Sequence, residues 1–76
     1  MKIYKLKHNL YKIGDNLTIK KGKNTKDKII AYRNTNFIFD SYNRKLVKLT
    51  TLRLEKKISV EFTLEQLESW FEENGN

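Results

Sequence analysis

The chain has 76 residues, with 16 Lys and Arg against 9 Asp and Glu for a formal net charge of +7, and it contains no cysteine. This length allows one small core and leaves little room for a deep cleft lined by several catalytic groups. The lack of cysteine excludes disulfides and thiolate metal sites and fits a reducing compartment. Because no apolar run reaches the length of a signal peptide or a membrane span, we expect a cytoplasmic protein with no membrane association.

The first part of the chain has the alternation of apolar and polar residues that is typical of short strands. We predict strands in residues 3–7, 10–13, 17–19, 29–32 and 37–39. Clusters of Gly, Asn, Asp and Ser lie between them, and these residues favour turns for reasons of backbone conformation. The predicted turns are 14–16, 21–24, 34–36 and 40–43.

Residues 45–54 fit two kinds of element. A helix is favoured by the spacing of Leu46, Leu49 and Arg53. A strand is favoured by Leu52 and Leu54, and by the β-branched residues Val47, Thr50 and Thr51. The β-branched residues make the strand the preferred interpretation.

The clearest change of period comes at Thr63. Before it, apolar residues alternate with polar ones over 58–62, which predicts a strand with one buried face. After it, apolar residues recur at helical spacing, at Leu64, Leu67, Trp70 and Phe71. Thr63 and Gln66 have the spacing of a capping box, and Asn74–Gly75 tolerates the left-handed conformation that ends many helices. We therefore predict an acidic amphipathic helix over residues 63–75.

Together these elements predict a mainly β fold with one C-terminal α-helix, in a single small domain over residues 1–76. Residues 1–62 would form its basic β body and residues 63–75 its acidic helix. Two architectures fit such short strands: a small barrel, or a strongly bent antiparallel sheet capped by the helix. The large aromatic residues expected in the core are Phe37, Phe39, Phe62, Trp70 and Phe71.

Charge is divided unevenly along the chain. All 16 cations lie in residues 1–57, where only four carboxylates oppose them, so this part carries +12. Residues 58–76 contain five glutamates and no cation, and they carry −5. A basic body with an acidic tail favours a polyanionic partner, although heavy use of Lys, Asn and Ile is also what AT-rich codons produce.

Residues 11–23 and 28–32 resemble the opening of SH3-like small β-barrels of the KOW and translation-protein kind. The resemblance covers residues 11–33 and consists of a Gly-Asp turn at 14–15, a strand, a glycine loop around Gly22 and a second strand. It implies a barrel whose loops meet RNA, DNA or a protein tail. The residues on the matching loop are Lys20, Lys21, Lys23 and Lys26.

The lysine-rich segment also predicts a phosphate-binding surface on physical grounds, because each phosphate that a cation neutralises releases counterions. The candidate cations are Lys20, Lys21, Lys23, Lys26 and Lys28, joined by Arg33, Arg44 and Lys45 from neighbouring strand ends. Tyr32 and Tyr42 would stack on unpaired bases. The alternative is a solvated loop with lysines of genomic origin and tyrosines that pack across strands.

Catalytic signals are weak. His8, the one histidine, has no second ligand at metal spacing, and the three glycines form no phosphate-binding loop. Asp40 followed by Glu55–Lys57 has the order of a nuclease metal site, but a Glu-x-Lys triplet arises easily by chance in so lysine-rich a chain. We expect a protein that is not an enzyme and that uses no metal or cofactor.

The sequence therefore predicts a small basic protein that binds DNA or RNA through largely sequence-independent phosphate contacts. A second hypothesis comes from the same composition. A small, charge-segregated protein with AT-biased residue usage is typical of phage or mobile-element accessory proteins, which bind and modulate a host protein through an exposed patch.

Overall fold

The computed structural model describes residues 2–20, 28–52 and 55–74, and these residues form eight strands and one helix. The strands are β1 (Ile3–Leu6), β2 (Asn9–Ile13), β3 (Asn16–Lys20), β4 (Lys28–Ala31), β5 (Asn36–Asn43), β6 (Leu46–Thr51), β7 (Ser59–Thr63) and β8 (Phe71–Asn74), and helix α1 spans Leu64–Trp70. The prediction of a mainly β fold with one helix near the C-terminus is confirmed.

The strands form two antiparallel sheets that do not close into a barrel. The larger sheet has the order β7-β6-β5-β1-β8, and the smaller one has the order β3-β2-β4. The chain passes from the first sheet to the second through only two residues, Lys7 and His8, which join β1 to β2. Of the two predicted architectures, the structure is therefore closer to bent antiparallel sheets than to a barrel.

Two hairpins of the fold turn through two residues each. Gly14 has a φ of 60° in the β2–β3 turn, a conformation in which glycine has no steric cost. The β5–β6 turn consists of Arg44 and Lys45, and Arg44 adopts a φ of 58° without that freedom. The prediction of a turn at 40–43 is wrong, because β5 continues to Asn43 and absorbs Asp40 as a β-bulge.

The ambiguous segment 45–54 contains strand β6, over Leu46–Thr51, and no helix among its described residues. β6 alternates strictly, with buried Val47, Leu49 and Thr51 on one face. The buried hydroxyl oxygen Oγ1 of Thr51 accepts from the main-chain N–H of Ile58 at 2.9 Å, so this polar group is satisfied. The strand interpretation of this segment is confirmed.

The core lies between the inner face of the larger sheet and the smaller sheet. Its buried residues are Leu6, Leu10, Ala31, Phe37, Val47, Leu49, Phe62 and Phe71. An aromatic cluster, consisting of Phe37, Phe62, Trp70 and Phe71, occupies one part of it. Phe62 contacts Phe71 at a ring-centroid distance of 5.0 Å, and Phe71 contacts Phe37 at 5.5 Å. All four contacts in the cluster are edge-to-face, a favoured aromatic geometry.

The prediction that Phe39 lies in the core is wrong, because 51% of the residue is exposed. It faces the same side as Phe37, as predicted, since their partners Leu49 and Thr51 share one face of β6. However, the pairing of β1 with β5 ends at Ile38, so beyond that residue β5 has a strand neighbour on one side only. One flank of Phe39 is therefore uncovered, whereas its cross-strand partner Leu49, on the same face, is fully buried.

Helix α1 begins as predicted and ends earlier than predicted. Thr63 caps it, with its hydroxyl accepting from the N–H of Gln66 and the Gln66 side chain accepting from the N–H of Thr63. The helix stops at Trp70, and residues 71–74 form strand β8 on the free edge of β1. The prediction of a helix over 63–75 is wrong because pairing with β1 satisfies this backbone while still burying Phe71.

Two glutamates that fell within the predicted helix lie in strand β8 instead. Glu72 lies opposite Lys5, and Glu73 lies opposite Tyr4. Oε1 of Glu73 forms an ion pair with Nζ of Lys2 at 2.8 Å. The hydrogen bond to Glu73, together with its negative charge, raises the pKa of the Lys2 amine above its ordinary value.

We expect Phe37→Ala to remove about 3–5 kcal/mol from the free energy of unfolding, because it empties the middle of the aromatic cluster. That loss is comparable with the whole stability of a domain of this size, roughly 4–11 kcal/mol. Urea unfolding followed by Trp70 fluorescence would measure it. Phe39→Ala, the same change two residues along the same strand, should cost about 1 kcal/mol or less because Phe39 is half exposed. Equal losses for the two variants would contradict this description of the core.

Candidate nucleic-acid interface

Three connections between strands meet at one end of the larger sheet. They are the β1–β2 connection (Lys7 and His8), the β4–β5 connection (residues 32–35) and the β6–β7 connection (residues 52–58, described at 52 and 55–58). Main-chain hydrogen bonds join the first two, from Leu6 N–H to the Thr35 carbonyl at 3.0 Å and from Asn34 N–H to the Leu6 carbonyl at 2.8 Å. A bond from Leu52 N–H to the Asn36 carbonyl, at 2.8 Å, brings the third beside them.

Arg33 is held at this end by a compact turn. The N–H of Thr35 donates to the Tyr32 carbonyl at 3.1 Å, and Asn34 takes a φ of 71°, which asparagine tolerates better than most residues. The N–H of Arg33 itself donates to Oδ1 of Asn9 at 2.7 Å. The turn is therefore tied to the start of β2, and the exposed side chain of Arg33 projects from a fixed backbone.

The connection that contains Lys56 and Lys57 has a fixed base. Its two ends are joined by the bond from Thr51 N–H to the Ile58 carbonyl at 3.0 Å and by the return bond from Ile58 N–H to Oγ1 of Thr51. Thr51 is buried and Ile58 is half-buried, so this clamp of two bonds is partly shielded from water. Lys56 and Lys57 are exposed beyond it.

Charge in these three connections is predominantly positive. In the described residues of the three connections, Glu55 is the one carboxylate, against four cations. Lys20 lies next to them, because it pairs with Asn9 across the β2–β3 ladder, and Asn9 holds Arg33. We define the basic end as Lys7, Lys20, Arg33, Lys56 and Lys57.

An exposed aromatic side chain accompanies these cations. Tyr32 directly precedes Arg33 and is 66% exposed, so its ring is available for stacking. Of the sequence-predicted site residues, the structure thus brings together Lys20, Tyr32 and Arg33.

The other predicted site residues lie elsewhere or outside the described part of the chain. Lys28 pairs with Lys12, whereas Lys20 pairs with Asn9 at the opposite end of β2. Tyr42, Arg44 and Lys45 lie at the far end of β5, which is about 25 Å long. Lys21, Lys23 and Lys26 fall outside the described residues.

Sequence reasoning missed Lys7, Lys56 and Lys57. Lys7 ends one predicted strand, and Lys56 and Lys57 lie between two others, so their positions near connections were visible. Their proximity was not, because it depends on β1 pairing with β5 and on β5 pairing with β6. Strand order of this kind has no local signal.

Among the described residues, no three His, Asp or Glu side chains form a group that would hold a metal ion. Asp40 instead accepts a hydrogen bond at Oδ2 from the Thr50 hydroxyl, at 3.1 Å. The described part of the chain also contains no helix long and apolar enough to cross a membrane.

Comparison of the chain with protein-family models, with curated proteins and with solved structures found no match. The resemblance to SH3-like barrels therefore stays a prediction.

Asn9→Ala should release the turn that carries Arg33, because the Arg33 N–H loses its acceptor. We expect the amide of Arg33 to exchange with solvent roughly 5- to 10-fold faster, as follows from a hydrogen bond with a net contribution of about 1 kcal/mol. Hydrogen exchange followed by NMR would measure it. Asn9→Asp is the matched control, because it keeps an oxygen at the same position and should preserve the slow exchange. Unchanged exchange in Asn9→Ala would contradict the proposed anchoring.

Proposed function

We propose that the protein binds nucleic acid through the basic end, as a binding protein rather than an enzyme. The observation that carries the proposal is the collection of five cations, from four separate parts of the chain, at one end of the fold, where the described residues of the three connections contain one carboxylate. Charge placed in this way is the electrostatic signature of phosphate binding.

The mechanism follows from the way these side chains are held. Arg33, Lys56 and Lys57 are exposed on anchored connections, so they contact phosphates without a large rearrangement of the backbone. Phosphate contacts carry little sequence information, and binding is therefore largely independent of sequence. Tyr32 adds base stacking, which favours single strands over a duplex. The proposal includes a cytoplasmic location, which the lack of cysteine supports.

The test is the salt dependence of binding to fluorescent single-stranded DNA, duplex DNA and RNA. If each of the five cations meets one phosphate, the slope of log affinity on log salt is about −4.5 for a duplex. Affinity then falls roughly 500-fold between about 50 mM and about 200 mM salt. Charge reversal at Arg33, Lys56 and Lys57 to Glu leaves two cations of the basic end. The slope should therefore become shallower, from about −4.5 to about −2.

A matched control reverses the same number of charges elsewhere. Lys28, Arg44 and Lys45 are also exposed, and reversing them to Glu gives the same net charge as the first variant. We expect this control to keep the steep slope. Reversal of Lys21, Lys23 and Lys26 tests the sequence prediction on the lysine-rich segment directly. Equal losses from the basic-end variant and the control would show that binding follows net charge alone and would overturn the proposed interface.

The second candidate function, modulation of a host protein by a phage or mobile-element accessory protein, is favoured by a different surface. Phe39 and Tyr42 face the same side of β5, and Tyr42 and Leu64 line one groove of about 350 Å³. All three are about half exposed, and they would form an apolar patch of the kind that marks protein–protein contact sites. Undetectable nucleic-acid binding at about 50 mM salt would reject the first proposal and leave this one.

A further inference from the structure

A second groove separates β7 from the smaller sheet. It has a volume of about 510 Å³, within the range of ligand-binding pockets in proteins. Its lining residues are Lys12, Asp15, Leu17, Ile30, Lys48, Ile58, Ser59, Val60 and Glu61. Three consecutive residues of β7, Ser59 to Glu61, belong to this lining, so the edge of the strand forms one wall.

One edge of β7 has no strand partner among the described residues, and this edge lies along the groove. β7 is the last strand of the larger sheet, and among the described residues it pairs only with β6. The β6–β7 register has Thr50 opposite Ser59, and continuing it by one residue puts Thr51 opposite Ile58. The N–H of Thr51 donates to the Ile58 carbonyl across this pair. Because the direction of main-chain groups alternates along an antiparallel strand, Val60 and Phe62 also bond towards β6. The N–H and C=O groups of Ser59 and Glu61 therefore point outward.

These outward groups form a short, well-defined segment. On its C-terminal side, the N–H of Thr63 already donates to Oε1 of Gln66 in the helix cap. On its N-terminal side, the clamp between Thr51 and Ile58 fixes the start of the strand. A strand laid along this edge finds four main-chain partners, two donors and two acceptors.

The walls of the groove suit the side chains of such a strand. Leu17, Ile30 and Val60 are half-buried aliphatic residues that pack against the core. The charged lining residues balance, with Lys12 and Lys48 against Asp15 and Glu61. The groove therefore favours an extended segment with aliphatic residues at alternate positions and no large net charge.

We propose that this groove binds one extended peptide segment of a partner protein, which adds to β7 as a sixth strand of the larger sheet. The smaller sheet forms the opposite wall of the groove, with Lys12, Leu17 and Ile30. It also obstructs the edge of a second folded sheet, so a second copy of this chain is not the occupant. The groove shares no residue with the basic end, and the proposal does not depend on nucleic-acid binding.

The probe is a displayed library of random seven-residue peptides, selected on the full chain at about 500 mM salt, which suppresses binding by exposed charges. We expect enriched sequences with aliphatic residues at alternate positions. A synthetic peptide of the enriched sequence, added to isotopically labelled protein, should slow the amide exchange of Ser59 and Glu61 roughly tenfold or more. Failure to enrich any sequence, or slowed exchange only at other residues, would overturn the proposal.

Glu61→Pro is the decisive variant, because proline removes an outward N–H on an edge strand and leaves the ladder with β6 intact. We expect it to weaken peptide binding roughly tenfold or more. Glu61→Ala keeps the N–H and loses the carboxylate, so it should bind within about threefold of the unaltered chain. Equal binding by the two variants would reject strand addition.

A change in the peptide gives the same information if the proline variant does not fold. N-methylation of alternate peptide amides removes either the donors that face β7 or those that face away from it. One pattern should abolish binding and the other should preserve it. Retention of binding with both patterns contradicts a main-chain ladder.

Discussion

The fold depends on edge-to-face contacts among aromatic residues from three parts of the chain. Phe37 comes from β5, Phe62 from β7, and Trp70 and Phe71 from the junction of α1 and β8. Because Phe71 must reach both Phe62 and Phe37, the chain crosses from one edge of the larger sheet to the other within the seven residues of α1. This crossing lets the Trp70 carbonyl accept from Lys7 N–H and so fixes the connection between the sheets.

Local signals predicted the start of the last helix and failed to predict its end. The change of period at Thr63 and the capping box both depend on residues that are close together in the sequence, and both are present in the structure. Phe71 fits the helical spacing equally well, so the pattern gave no reason to stop at Trp70. The deciding factor was the free edge of β1, where residues 71–74 gain a ladder of main-chain hydrogen bonds. Sequence-based reasoning could not weigh that ladder without knowing the strand order.

The same limit applies to the candidate interface. Arg33 and Tyr32 were predicted from their residue types beside a turn, and the structure places them together with Lys20. Arg44 and Lys45 were grouped with them because they also flank a turn, yet β5 separates the two turns by its full length. Phe39 shows the corresponding limit for the core. Its facing direction followed from alternation, whereas its exposure depended on where β1 stops.

The pairing of β1 with β8 has a consequence for how the protein folds. Its paired residues are between 65 and 71 positions apart, from Leu6 with Phe71 to Ile3 with Asn74. Contacts of such long range form slowly, because the entropy of closing the intervening chain is lost before the contacts form. During synthesis, one edge of β1 stays without its partner until residues 71–74 have left the ribosome. Until then the nascent chain exposes a strand edge and the site of Phe71 in the core, the two features by which partly folded β proteins aggregate.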